Sequence, residues 1–249
     1  MVETYRPASL SELLSIRAET GAIPFAGGTD LMVRLRRGAG ILPAFERPVV
    51  FLDLCEQLKG IETSDTDLLI GAAASMSELL DHPAVHPALK RILREIAAPA
   101  LRNAATLGGN ICNASPAADT LPFLYAFDAM LELASVESSR SVAIADFISG
   151  PGSTILNADE VLTGIRVPRW NPDIWYFRKV GTRKANALTK ISFAGFADKR
   201  DGRISRLTLT LGSVFATIVR LHSIEESCNG LYPVEINRIL PSLLDEFRG

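Results

Sequence analysis

Two short stretches, each built on a pair of adjacent glycines and about 80 residues apart, constrain this 249-residue chain more than any other feature. The first is Pro24-Phe25-Ala26-Gly27-Gly28-Thr29-Asp30-Leu31. It closes a short apolar run that reads as a strand. Two glycines there permit positive φ and close approach of the backbone to a neighbour. Thr29 offers a hydroxyl and a cap for a helix over 31–37, and N–H groups at such a start favour an anion. A tight turn before a capped helix is the plainer explanation of the same residues. The second stretch runs from Thr106 through Leu107, Gly108, Gly109, Asn110, Ile111 and Cys112 to Asp119. It repeats the hydroxyl, the glycine pair and small polar residues. A segment so poor in bulk is expected to be loop over 106–119, with its backbone free to line a ligand. Two such loops suit a ligand with two phosphates better than a single phosphate. Asp119 either accepts hydrogen bonds from sugar-like hydroxyls or caps a helix beginning at Thr120.

Two common nucleotide motifs are absent. There is no G-x-G-x-x-G after a strand and no G-x-x-x-x-G-K-[ST], so neither a Rossmann site nor a P-loop is expected. The charge balance is 26 basic against 28 acidic side chains, net -2, which leaves no excess to hold a nucleic acid. No apolar run reaches the roughly 18 residues of a membrane span, and Met1–Pro7 lacks the pattern of a secretory signal. Cys55, Cys112 and Cys228 make no even disulfide framework and no C-x-x-C pair. That argues for a reducing, cytoplasmic setting and against a zinc or iron–sulfur site held by this chain. Cys112 is expected to be a small buried side chain rather than a redox group. His82 and His86 are four apart, but a proline follows each and no third ligand is near. Asn113-Ala114-Ser115 matches a glycosylation acceptor by coincidence, since no export signal accompanies it. Arg34, Arg36 and Arg37 with Lys59 form either a solvated face or a docking surface.

Periodicity fills in the rest. Ser9–Glu19 reads as an amphipathic helix capped by Ser9 or Ser11. Strands are expected at 22–26, 48–52, 67–70, 130–135, 141–144 and 160–167. Residues 75–104 read as helices punctuated by Pro83, Pro87 and Pro99, each near a plausible helix start. Another helix covers 121–127. The stretch 169–173 is a boundary between a domain at 1–170 and one at 171–249. After it come three strand-like runs, 175–180, 188–197 and 204–211, and then helices over 223–229 and 234–247. The fold class is α+β: a mixed N-terminal domain and a small C-terminal domain of antiparallel strands followed by helices.

The two glycine loops, in this order and spacing, resemble those of the FAD-binding medium subunits of molybdenum hydroxylases, the group containing xanthine dehydrogenase and aerobic carbon monoxide dehydrogenase. The matching segments are AGGTDL at 26–31, LRNAATLGGNICNASPAAD at 101–119, ADFISGPGSTIL at 145–156, DEVLTGIRVP at 159–168 and FRKVGTRKANALTKIS at 177–192. The resemblance implies a two-part FAD-binding domain of the vanillyl-alcohol-oxidase (PCMH) type plus a C-terminal antiparallel domain. It implies that Ala26, Gly27, Gly28, Thr29, Asp30 and Leu31 hold the pyrophosphate end of FAD. Thr106, Gly108, Gly109 and Asn110 would meet the dinucleotide from the other side. Asp119 would bond a cofactor hydroxyl, Leu162 would pack against a ring, and Lys179 would sit near the flavin unless it is merely a solvated strand lysine. It further implies a molybdopterin-binding large subunit, a small subunit with [2Fe-2S] clusters, and NAD+ or another acceptor for the electrons, in a hetero-oligomer.

Two other functions use the same residues. One is a stand-alone flavin oxidoreductase, which needs acid–base residues of its own, and no distinctive pair is visible. The other is an assembly subunit that keeps the fold without the flavin, against which the intact glycine pairs argue. The segment from Ile239 to Gly249 departs from the family's usual Pro-Ile-Asp-Asp pattern, and a short C-terminal domain is expected.

Overall fold

The first helix, Leu10–Thr20, is the predicted one, and its caps explain its ends. Ser9 accepts a hydrogen bond from the Glu12 N–H, and Gly21, at φ 62°, turns the backbone left-handed and stops the helix. The structure, a computed structural model, describes residues 2–41, 43–183 and 187–246, apart from the side chains of 240 and 242–246. Phe247, the expected end of the last helix, and residues 184–186 of the 177–192 segment lie outside the described residues.

Along the chain the first elements are β1 (Thr4–Tyr5), α1 (Leu10–Thr20), β2 (Ile23–Phe25), α2 (Leu31–Arg34) and β3 (Val49–Phe51). The three strands form a parallel sheet in the order β1-β3-β2. Next come a 3-10 turn at Glu56–Leu58, β4 (Ile61–Thr63), β5 (Asp67–Gly71), α3 (Met76–Asp81), α4 (Pro87–Glu95), α5 (Pro99–Ala104), α6 (Leu107–Cys112) and α7 (Leu121–Ala126). They are followed by β6 (Met130–Ala134), β7 (Ser139–Ala143), α8 (Ile144–Phe147), β8 (Ile148–Gly150), β9 (Ser153–Thr154) and β10 (Val161–Pro168). Strands β4-β5-β10-β6-β7 make an antiparallel five-stranded sheet. The chain ends with β11 (Ile174–Gly181), β12 (Thr189–Arg200), β13 (Arg203–Gly212), β14 (Val219–Arg220), α9 (His222–Cys228) and α10 (Pro233–Glu246). Its four strands form a second antiparallel sheet in chain order. The α+β class is therefore as expected. The short strands β1, β4, β8, β9 and β14 had no alternating run long enough to announce them.

Proline positions explain the middle helices. Pro87 and Pro99 each occupy a first-turn position, where a missing N–H costs nothing. Pro83 starts no helix. His86 caps α4: its Nδ1 accepts the Ala88 N–H at 3.1 Å. Its ring lies 5.8 Å and 5.3 Å from those of Phe123 and Phe127. Burial pushes its pKa down to about 4, so the ring is neutral at pH 7. It is a structural cap within an aromatic cluster.

That cluster joins the last sheet to the rest. Phe123 of α7 and Phe127, which ends that helix, stack at 4.2 Å, and Phe196 of β12 meets Phe127 edge-on at 4.9 Å. All three are buried in one core with Leu89, Ile92 and Leu93 of α4. Trp170 Nε1 donates to Asp198 at 2.7 Å. A smaller core under the parallel sheet gathers Leu13, Leu14, Val50, Leu52, Leu58 and Val161. Because β11 and β12 are seated this way, their ends reach the second glycine segment.

At the start of α3, Ser75 accepts the Glu78 N–H at 3.1 Å, and Glu78 accepts the Ser75 N–H at 2.7 Å. Losing the hydroxyl in Ser75→Ala should cost about 1 kcal/mol. For a chain of this size that lowers Tm by roughly 2–4 °C, with Ser75→Thr restoring it in thermal denaturation. An unchanged Tm in both variants would mean that the cap is not formed.

Candidate functional site

The first glycine segment leaves the end of β2 and is shaped by two close approaches. A Cβ placed on Gly27 would lie 1.8 Å from the Ala104 carbonyl oxygen, so only glycine lets this loop meet the chain just before the second segment. Gly28 has φ +66° and lies over the Phe25 ring, which a Cβ would strike at 2.2 Å. The helix that follows is shorter than expected and ends at Arg34. Its N-cap is Asp30, not Thr29, and no side chain caps it. The Asp30 carboxylate instead accepts the Asn113 amide at 3.0 Å and ties the two segments together. The N–H groups of Gly27, Gly28, Thr29, Asp30 and Leu31 have no acceptor among the described residues. A run of unpaired N–H groups is a site for an anion's oxygens.

The second segment does not behave as sequence composition suggests. Residues 107–112 are helix α6, not loop, because Thr106 caps it and Leu107 and Ile111 are buried. Its N–H groups are all used. Leu107 donates to Ala74 O, Gly108 to Ala72 O, Gly109 to Thr106 Oγ1 and Asn110 to Thr106 O. This segment therefore gives a smooth wall rather than a second anion cradle. Gly108 packs on Ala72, and Gly109 on Thr106 with Ala26 beyond it.

Asp119 caps nothing: Thr120 stands at the N-cap position of α7. The Thr120 hydroxyl donates to Asn110 Oδ1 at 2.5 Å. Asp119, buried, receives Lys179 Nζ of β11 at 2.5 Å on one oxygen and Thr189 Oγ1 of β12 at 2.5 Å on the other. The Lys179 side chain is only 12% exposed, so it is not a solvated strand lysine. Each carboxylate oxygen keeps a lone pair for a further donor.

A cleft of about 680 Å³ runs between these pieces and collects all thirteen residues singled out from the sequence. They are Ala26, Gly27, Gly28, Thr29, Asp30 and Leu31 on one wall, Thr106, Gly108, Gly109 and Asn110 opposite, and Asp119, Leu162 and Lys179 between. That size is within the range of cofactor sites. Cys112 is exposed and lines the cleft, which corrects the expectation that it is buried. Protein still surrounds its thiol closely enough to push the pKa up to about 12, so it carries no thiolate at neutral pH. Sequence reasoning missed Thr189, Asn113 and Arg17, which also line the cleft. Only Arg17 carried a signal, as a charge four residues after Leu13 and three after Leu14 on the apolar face of a helix.

Arg34, Arg36 and Arg37 are exposed. Among the described residues no group of three or more His, Cys, Asp or Glu side chains is placed to hold a metal. No described helix is long and apolar enough to cross a membrane. The three cysteines are free.

Comparison with known proteins agrees with the geometry. Residues 1–170 match the family described as the FAD binding domain in molybdopterin dehydrogenase. The xanthine dehydrogenase FAD-binding subunit of Escherichia coli O157:H7 is 31% identical over 231 residues, spanning 90% of this chain and 77% of that protein. Carbon monoxide dehydrogenase from Hydrogenophaga pseudoflava contains a chain that superposes with TM-score 0.85 at 25% identity, covering 93% of this chain and 81% of that one. Quinoline 2-oxidoreductase from Pseudomonas putida 86 gives 0.83 at 27%, covering 93% and 80%.

Proposed function

This chain belongs to the FAD-binding medium subunits of the molybdenum hydroxylase family, and on that premise we propose that it relays electrons inside a xanthine dehydrogenase-like complex. It is a FAD-containing oxidoreductase subunit, and the further steps are our own assignment. Electrons come from [2Fe-2S] clusters on a small partner subunit, after a molybdopterin-binding large subunit has oxidised the substrate. They leave to NAD+ or another acceptor. We place the complex in the cytoplasm, a setting with which three free cysteines agree. We also divide the chain into a FAD-binding domain at 1–170 and a C-terminal domain at 171–249. The last described sheet begins at Ile174.

The observation that carries the assignment is the run of unpaired N–H groups from Gly27 to Leu31, facing a glycine-lined wall across the cleft. FAD fits this arrangement because its pyrophosphate needs donors and its length needs a trough. When bound, FAD supplies the ability to take up electrons singly and give them up as a pair. The protein binds and orients it. The first loop donates its N–H groups to the pyrophosphate. Thr106, Gly108, Gly109 and Asn110 shape the opposite wall, Asp119 accepts a cofactor hydroxyl on its spare lone pairs, and Leu162 covers a ring face. Lys179 brings a positive charge that favours electron density arriving on the flavin.

The purified chain should take up one FAD, visible in its absorbance bands and released by acid because nothing holds it covalently. Mixed anaerobically with purines, aldehydes or carbon monoxide, the loaded chain should keep its colour. Adding the molybdenum and iron–sulfur subunits should bleach it with the cognate substrate. A protein that stays colourless in excess FAD refutes cofactor binding, and rapid bleaching by the chain alone favours a stand-alone oxidoreductase.

A further inference from the structure

Arg17 is a buried charge whose side-chain hydrogen bonds all go to backbone carbonyls. It is 8% exposed and forms no ion pair among the described residues. Its Nη1 donates to the carbonyls of Gly21 at 3.1 Å and Ala22 at 2.7 Å, and its Nε to the Glu160 carbonyl at 3.4 Å. The Glu160 carboxylate is taken by Arg140 at 2.7 Å and 2.8 Å and by the Asn157 N–H at 2.8 Å. Arg17 Nη2 has no partner among the described residues, and it is not one of the sealed, unpartnered nitrogens of the core. The side chain lines the cofactor cleft. A buried guanidinium with spare donors is costly unless something accepts from it.

Its position selects the acceptor. Gly21 and Ala22 precede β2, whereas the first glycine loop follows it. Four residues lie between Ala22 and Gly27, roughly 16 Å if the chain is extended. Arg17 and Lys179 share no hydrogen-bond partner. The cleft-lining residues that follow its carbonyl partners in the chain are apolar: Ile23 and Pro24 after Ala22, Val161 and Leu162 after Glu160. A slot with apolar sides and donors at one edge suits a flat, uncharged heterocycle whose rim carries nitrogen acceptors.

We infer that Arg17 reads the purine of FAD, donating from Nη2 to the acceptor edge of the adenine while Val161 and Leu162 cover its face. This rests on FAD occupying the cleft as proposed above. It makes Arg17 a specificity residue, selecting the adenine dinucleotide over flavins that end at the ribityl chain or its phosphate. The phosphates are left to the loop 27–31.

The test uses Arg17→Lys and Arg17→Met with four probes: FAD, ADP, riboflavin and inorganic pyrophosphate. Binding is read by flavin fluorescence and by competition, with circular dichroism as the fold check. Lysine keeps donors for the Gly21 and Ala22 carbonyls and loses the free edge, so Arg17→Lys stays folded even if Arg17→Met does not. Both folded variants should lose about tenfold or more in FAD and ADP affinity, the size of one charge-assisted hydrogen bond. Riboflavin and pyrophosphate should bind as to the wild type. Equal losses for all four probes would make Arg17 merely structural. A loss that includes pyrophosphate would make it a phosphate ligand. Unchanged ADP affinity in a folded Arg17→Lys chain overturns the inference while leaving FAD binding intact, and a wild-type chain that takes up no FAD overturns both.

Discussion

Gly27→Val should weaken FAD binding about a hundredfold while the chain keeps its secondary structure. A valine Cβ would begin 1.8 Å from the Ala104 carbonyl oxygen and 2.4 Å from its carbon. Neither is a flexible side chain that can swing away. The free protein relieves the clash by letting the loop 26–31 retreat from α5. Bound FAD needs that loop held against the wall of α6, so the bound state bears the strain. Overpacking of this kind costs up to about 3 kcal/mol, which is about two decades of affinity. Gly150→Ala is the matched control, since a Cβ there meets nothing within 4 Å. Flavin titration followed by circular dichroism checks the pair. If Gly27→Val binds FAD as tightly as the control, close contact between the two segments is not what builds the site.

The two segments also show what could be read from the residues and what could not. The pair Gly27-Gly28 is legible because it has few structural uses after a strand. The pair Gly108-Gly109 is misread as loop because glycine disfavours helix. Six residues with a Thr106 cap and two buried apolar side chains override that preference. The assignment of N–H donors to both segments fails for the same reason: a capped helix consumes its own amides. Asp119 before Thr120 looks like a cap in one dimension. Only the seating of β11 and β12 on the aromatic core, through Phe196, brings Lys179 and Thr189 to it. No spacing along the chain encodes a contact across 60 residues. Arg17 was legible in principle, because a charge on the buried face of a helix must have a partner somewhere.

Asp119→Ala should be among the most destabilising single changes in the chain, even without cofactor. It removes the carboxylate from a lysine that is 12% exposed, and it removes the acceptor of the Thr189 hydroxyl, itself in a buried residue. Breaking a buried pair from one side costs about 3–5 kcal/mol, because the remaining charge is stranded. For a chain of this length that is a drop in Tm of roughly 10 °C. Removing both partners should be milder. In Asp119→Ala with Lys179→Met no charge is left behind, and an apolar side chain of similar length fills the space, so most of the lost Tm returns. FAD affinity should not return with it, since the hydroxyl acceptor and the cation near the flavin are both gone. Thermal denaturation of the FAD-free variants measures the first effect, and flavin titration of the double variant the second. If Asp119→Ala melts with the wild type, the pair contributes nothing to the fold. If the double variant recovers FAD affinity together with stability, Asp119 and Lys179 are structural only and the cofactor is held by the glycine segments alone.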